Sequence, residues 1–196
     1  MFFMFKIYIV LYVDVVARTF KPLRRTAGEL KIRDIGWHIL LFEFEDVLDP
    51  ERVLEFKPWS YDKHLVAFER VFDIKSMPFL DFSCATFWVQ IHNISERNLK
   101  VEVGELIGKT ISRVIQVAKS EDDNDGSEFL RVRINIDISK PLLRCFKLRL
   151  EGKQVGWVGL KYERLPNFCY WCGHVTHGER DCEVWLRGKG SLRKEE

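Results

Sequence analysis

The chain has 196 residues, 46% apolar and 31% charged, which suits a soluble globular protein of one or two compact units and excludes a fibrous or disordered one. A formal net charge of +2 gives no whole-molecule pull on phosphate, so any affinity for nucleic acid has to come from local patches. The five cysteines are odd in number and three fall within fourteen residues, which argues against a secreted disulfide framework and for an intracellular, reducing compartment, with nucleus and cytoplasm both open.

Residues 1–17 begin with the apolar run MFFMFKIYIVLYVDVV, interrupted only by Lys6 and Asp14. A spanning helix needs about 20 predominantly apolar residues. A signal peptide would carry its positive charge ahead of the apolar core, whereas Lys6 lies inside it. The β-branched and aromatic content predicts a buried strand, and a membrane partner is not expected.

Residues 18–82 form the expected N-terminal α+β unit. A basic stretch (Arg18, Lys21, Arg24, Arg25, Lys31, Arg33) precedes a strand over Trp37–Glu45. Asp49 is the expected N-cap of a short helix with Pro50 at its first position, Val53, Leu54 and Phe56 on its apolar side, and Pro58 ending it. Lys63–Val71 is a further strand, which makes a β-α-β half-domain, and residues 73–82 read as a connector.

Residues 83–163 form a second unit, a strand and a helix followed by a run of strands. Thr86–Ile91 is the first strand. Leu99, Val103, Leu106 and Ile107 lie at i, i+4, i+7 and i+8, one face of the helix. Residues 112–118 are a strand and the acidic run EDDNDGSE a turn. In FLRVRINIDIS, Leu130, Val132, Ile134, Ile136 and Ile138 alternate with Arg131, Arg133, Asn135, Asp137 and Ser139, a strand buried on one side. CFKLRL and GWVGLKYE alternate in the same way, so the fold class is α+β.

Residues 166–185 hold the strongest signal. Cys169, Cys172, His177 and Cys182 have the spacing C-x2-C-x4-H-x4-C. Three sulfurs and one imidazole nitrogen suit one tetrahedral Zn2+, and four protein ligands leave no position for a reacting water, so the zinc is structural. His174 is the competing histidine, expected to be exposed or to lie beside the ligands. Gly173 and Gly178 each directly follow a ligand, where the chain must turn sharply and a positive φ is expected. A segment this short has no core of its own, and metal binding, about 10–16 kcal/mol in zinc-finger peptides, has to supply its folding energy.

This spacing resembles the retroviral-type zinc knuckle of gag and nucleocapsid proteins. A wider resemblance, from about Arg18 to Cys182, runs through LKIRDIGWHILLFEFEDVLDPERVLEFKPWSYDKHLVAFER, FWVQIHNI, VGELIGKTISRVIQV, FLRVRINIDISKPLLRCFKLRL and KYERLPNFCYWCGHVTHGERDC. These segments look like a plant family, abundant in retrotransposon-derived gag-like reading frames, in which a domain of unknown function precedes a knuckle of this spacing. The resemblance implies a zinc-dependent nucleic-acid-binding protein without catalytic activity, its body related to RNA-recognition folds. Two departures stand out. MFFMFKIYIVLYVDVVARTFKPLRR occupies the place of the family's longer N-terminal portion, and Thr176 replaces a common glycine before the ligand histidine.

Knuckles bind single strands by stacking exposed bases on aromatic rings, at about 1–3 kcal/mol per base. Tyr170 and Trp171 are the stacking candidates. The knuckle itself is no attractor of phosphate. Arg180 stands between Glu179 and Asp181, and a zinc ion with three thiolates adds a further negative charge. Phosphate contacts are therefore expected from Arg187, Lys189, Arg193 and Lys194 in the tail 186–196, read as flexible, or from Arg131, Arg133, Lys147 and Arg149 in the second unit. Between Arg131 and Lys153 seven basic residues face two acidic ones, the densest positive excess in the chain.

Enzyme signatures are missing. No His-x-Glu precedes Pro-Cys-x-x-Cys as a zinc deaminase requires, and EDDNDG ends in Val132 at the twelfth position where an EF-hand needs glutamate. No P-loop, G-x-S-x-G or H-E-x-x-H occurs, and Cys84 and Cys145 read as ordinary thiols. The expected partner is single-stranded RNA or DNA, RNA favoured, with self-association through the α+β body as a further expectation and no small-molecule substrate. The alternative is a protein-interaction module whose zinc only shapes a docking surface.

Overall fold

The structure, a computed structural model, describes residues 2–7, 30–46, 48–71, 81–118, 129–150 and 154–191. The chain divides into two compact units, Met1–Ala85 with Pro166–Glu196, and Thr86–Leu165.

The first unit is built on strands β1 (Phe2–Ile7), β2 (Leu30–Gly36), β3 (Ile39–Phe44), β4 (Trp59–Tyr61) and β5 (His64–Val71), with helix α1 (Asp49–Glu55) between β3 and β4. The antiparallel sheet has the order β2-β3-β1-β5-β4. The apolar N-terminal run thus supplies the central strand, Phe5 standing opposite Leu40 on one side and Phe68 on the other. Leu40, Phe42 and Phe44 of β3 pack with Val66 and Phe68 of β5 and Val53 of α1 to form the core. The Trp59 indole N–H donates to the Val53 carbonyl at 2.8 Å, and an Arg70–Glu51 ion pair ties β5 to α1.

The β-α-β reading of this unit is incomplete. β2 lies in the stretch read only as basic, where Leu30 and Ile32 are half-buried and Lys31 and Arg33 exposed, the charged pattern of an edge strand. Trp37 and His38 belong to the β2–β3 turn, both with positive φ, and not to the strand. Asp49 is the first helical residue and not the N-cap. Leu48 takes the cap position, turned into it by its N–H bond to the Asp46 carboxylate at 2.8 Å.

The second unit has β6 (Cys84–His92), α2 (Val101–Ile111), β7 (Arg113–Val117), β8 (Leu130–Asp137), β9 (Cys145–Leu150) and β10 (Gln154–Tyr162). Its sheet order is β7-β8-β6-β10-β9. Counted from each unit's first strand, the two sheets have the same order: first strand central, second and third as a hairpin on one side, fourth and fifth as a hairpin on the other.

Helix α2 covers one face of this sheet, but not with the predicted stripe. Leu99 precedes the helix and Leu106 is 62% exposed, while Gly104, Ile107 and Gly108 are buried. The glycines let the helix backbone approach the sheet. A Cβ at Gly108 would stand 2.6 Å from Val114 Cγ2 and 3.1 Å from Val132 Cγ1, too close for any side chain. Val132 and Ile134 lie beneath the helix, and Phe87, Val89, Ile91 and Val158 on the neighbouring strands are buried as well. The acidic run, 121–128, lies outside the described residues, as does the connector 73–82 except for its last two residues. No described helix is long and apolar enough to cross a membrane.

Candidate metal centre and nucleic-acid face

The chain enters the cysteine cluster through Asn167, whose backbone N–H donates to the Lys63 carbonyl at 2.7 Å, in the β4–β5 turn of the same unit. It then folds over itself. Cys169 N–H donates to the His174 carbonyl at 2.9 Å and Gly173 N–H to the Cys169 carbonyl at 2.8 Å. This closure needs φ of +82° at Gly173, where a side chain would be strained. Gly178, expected to share that feature, is extended at φ −86°. Its small size serves a different end, since a Cβ there would meet Asn167 Oδ1 at 3.2 Å.

Within this turn the four predicted ligands converge. Cys169, Cys172 and Cys182 Sγ and one His177 ring nitrogen all lie within 4.8 Å of one another. A tetrahedral ion with Zn–S bonds of about 2.3 Å sets its sulfurs about 3.8 Å apart, so the cluster has the right size. Cys172 Sγ stands 3.2 Å from His177 Nε2, which makes Nε2 the ligand nitrogen. His177 Nδ1 is 3.1 Å from the Thr176 hydroxyl, and with Nδ1–H donating there, Nε2 keeps its lone pair for metal. His174 is half-buried with its ring 6.4 Å from that of His177, beside the ligand set and not in it.

The thiols oppose one another. Burial, and then the neighbouring Cys169 and Cys182 sulfurs, push the Cys172 thiol up to about 11, although the His174 backbone N–H works the other way. Burial acts against ionisation of Cys169 too, but backbone N–H groups of Cys172 and Trp171 bring it below the usual thiol range. A divalent cation among the three sulfurs removes this mutual opposition. The donor set fits zinc, and with Cys169, Cys172, His177 and Cys182 as its four ligands a bound ion would stabilise the turn and would have no open position for a reacting water.

Tyr170 and Trp171, between the first two ligands, are 66% and 54% exposed. Phe168 braces Tyr170 edge-on, with ring centroids 5.0 Å apart, leaving the ring accessible. After a single helical turn (Glu179–Asp181) and Cys182, helix α3 (Glu183–Ser191) starts directly on the last ligand, Leu186 N–H donating to the Cys182 carbonyl at 2.9 Å. The stretch read as a flexible tail is therefore helical through Ser191. The acidic Glu183 in its first turn and a Glu183–Arg187 pair at 2.8 Å, four residues apart, favour that conformation. Arg187 is thus paired. Lys189 lies on α3, while Arg193 and Lys194 fall outside the described residues.

The other phosphate candidates share one surface of the second unit, the sheet face opposite α2. Strand register shows this. Trp157 pairs with Lys147 and Val155 with Arg149, while Lys161 pairs with Gln90 and Gly159 with His92. Across the sheet, Arg131 and Arg133 both reach the Trp88 ring, and Arg113 stands opposite Asn135 on the outer strand. Arg113, Arg131, Arg133, Lys147, Arg149 and Lys161 thus bring six cations to this face. Asp137 and Glu163 oppose them.

Arg131 is held in place. Its Nε and terminal nitrogen donate to the two Glu163 oxygens at 2.8 and 2.9 Å, and Gln90 donates to the same carboxylate at 3.0 Å. Burial alone would raise Glu163, but hydrogen bonds from Arg131 and Gln90 hold it below its usual 4.5. The guanidinium lies 4.3 Å from the Trp88 ring centroid. Lys147 caps Trp157 more loosely, its ammonium 5.2 Å from the ring. Sequence reasoning named the basic residues but missed Trp88, Gln90, Trp157 and Glu163. Alternation marked Trp157 as outward-facing, but its neighbours depend on cross-strand register, which one strand's pattern does not contain.

The zinc-knuckle family model matches residues 136–184, about a quarter of the chain, from the end of β8 to the start of α3. No curated protein matches the sequence. Among solved structures, the RNA-binding domain of Hrp1 in complex with RNA aligns at 11% identity over 83% of this chain and 96% of that one, with a TM-score of 0.31. A Sxl-lethal protein/RNA complex aligns at 12% identity over 82% of this chain and 97% of that one, with a TM-score of 0.29. Family match and ligand geometry agree: residues 169–182 are a CCHC zinc knuckle with a place for one structural Zn2+.

Proposed function

We propose that the protein binds single-stranded nucleic acid in a zinc-dependent manner, RNA in preference to DNA, and is of the gag-like, retrotransposon-derived kind that its sequence resembles. The observation that carries the binding is the exposure of Tyr170 and Trp171 on a turn that the metal closes. Two aromatic faces on a rigid loop suit unstacked bases, each worth about 1–3 kcal/mol. Duplex bases are already stacked, and the small, net acidic knuckle has little to hold a duplex backbone. Phosphate contacts fall to the cationic sheet face of the second unit. We assign no catalysis, because the metal's coordination is complete without substrate. Thiolate ligands that must stay reduced suit an intracellular compartment.

Exposed Val184 and Leu186 on α3, next to the last ligand, favour a second reading in which the knuckle also presents an apolar surface to a protein, including another copy of this chain. Binding of labelled single-stranded RNA, single-stranded DNA and duplex across a salt series separates the readings. The proposal expects single strands to bind best, with log affinity falling by about 0.7 per phosphate contacted for each decade of salt. Absence of single-strand binding at low salt refutes it.

A further inference from the structure

The second unit carries two tryptophans on its open sheet face, and they differ in what covers them. Trp88, on the central strand, is half-buried beneath Arg131. That arginine is fixed by a two-pronged bond to Glu163, which Gln90 also holds. A base could reach this side of Trp88 only by breaking two charge-assisted hydrogen bonds, each stronger than an ordinary one. Trp157, on β10 next to the outer strand, is 58% exposed. Its cover is the single ammonium of Lys147, and among the described residues Lys147 has no carboxylate partner. A lysine side chain on the solvent side of a strand can swing from the ring to a phosphate at little cost.

The geometry points to Trp157 as a base-stacking site for single-stranded nucleic acid, with Lys147 and Arg149 of the paired strand holding the adjoining phosphates and Trp88 serving as an internal support. Charge complementarity selects the occupant, because among the described residues six cations against two carboxylates on this face suit a polyanion. An exposed aromatic ring within that field adds what an acidic peptide does not need and a nucleobase does. The inference rests on the proposed nucleic-acid function and adds a contact point to it, on an element apart from the knuckle's sequence.

The test is fluorescence anisotropy of the full zinc-loaded chain with a labelled twelve-nucleotide oligoadenylate RNA. Trp157→Ala should weaken binding by about 5- to 150-fold, the loss of one stacked base. Trp157→Phe, which keeps an aromatic face, should stay within about threefold of wild type, and Lys147→Ala should lower the salt slope by about 0.7. Trp88→Phe should bind as wild type does. If Trp157→Ala binds normally while zinc removal still abolishes binding, this site is wrong and the knuckle reading stands, leaving the face to a protein partner. Loss on Trp88→Phe but not on Trp157→Ala moves the stacking to the central strand and overturns the assignment. A wild-type chain that binds no oligonucleotide overturns the proposed function itself.

Discussion

Arg131 and Glu163 meet through two parallel hydrogen bonds of 2.8 and 2.9 Å, from β8 to the residue just past β10, across the central strand of the second sheet. The pair lays the guanidinium on Trp88 and so joins three strands by side chains as well as by backbone. Its acid response follows from the lowered pKa of Glu163. The contribution is complete above the usual 4.5 and is lost as pH falls through the lower folded value. In urea unfolding, Glu163→Gln should be less stable than wild type at pH 7. The gap should narrow as pH falls below 4.5 and close once Glu163 is protonated in the folded chain. A gap constant from pH 7 to pH 3 would show that the pair has no such role.

Glu69 behaves oppositely. Burial raises it above 4.5, Lys57 opposes this, and Asp81 adds to it. Its stabilising effect is complete below 4.5 and is lost as pH rises through the folded value. Glu69→Gln should therefore gain stability relative to wild type as pH increases from 4 to 7, read as a rising difference in Tm.

Gly108 tests the close approach of α2. Alanine is the better helix former by about 1 kcal/mol. A Cβ 2.6 Å from the stiff, branched Val114 nonetheless forces the helix away from the sheet. Overpacking of this kind costs about 1–3 kcal/mol, so Gly108→Ala should lower the urea midpoint despite its better propensity. A raised midpoint would mean that the helix stands farther from the sheet.

Gly173 holds the turn between the second ligand and His174 at φ +82°. Gly173→Ala places a side chain in the left-handed region at about 1–2 kcal/mol. In the full chain, Co2+ should still give the tetrahedral thiolate spectrum, but with affinity reduced about 5- to 30-fold. Unchanged affinity would remove the strain argument. Cys172→Ser, by contrast, should abolish that spectrum's three-sulfur intensity.

The knuckle was the most legible part of the sequence because its ligands are local. Cys169, Cys172, His177 and Cys182 lie within fourteen residues, and their chemistry does not depend on distant packing. The alternation along β8 was equally plain, since one buried face leaves a period of two. What the sequence hid depends on partners. β2 was masked by its edge charges, and the buried stripe of α2 was misread because glycine, not leucine, faces the sheet. The shared strand order of the two units lies in long-range pairings such as Phe5 with Phe68, which no local pattern records. The basic residues were visible, whereas the fixing of Arg131 by Glu163, thirty-two positions away, was not.

In the proposed function, zinc closes the knuckle so that Tyr170 and Trp171 can stack bases. The most direct measurement is the affinity of the full chain for a single-stranded RNA oligonucleotide before and after zinc removal, with circular dichroism confirming that both sheets persist. Loss of two stacking contacts predicts a drop of about thirtyfold or more, restored by adding back Zn2+ and absent in Cys172→Ser, which should start weak and stay weak. Equal affinity in the metal-free and zinc-loaded chains would contradict the account.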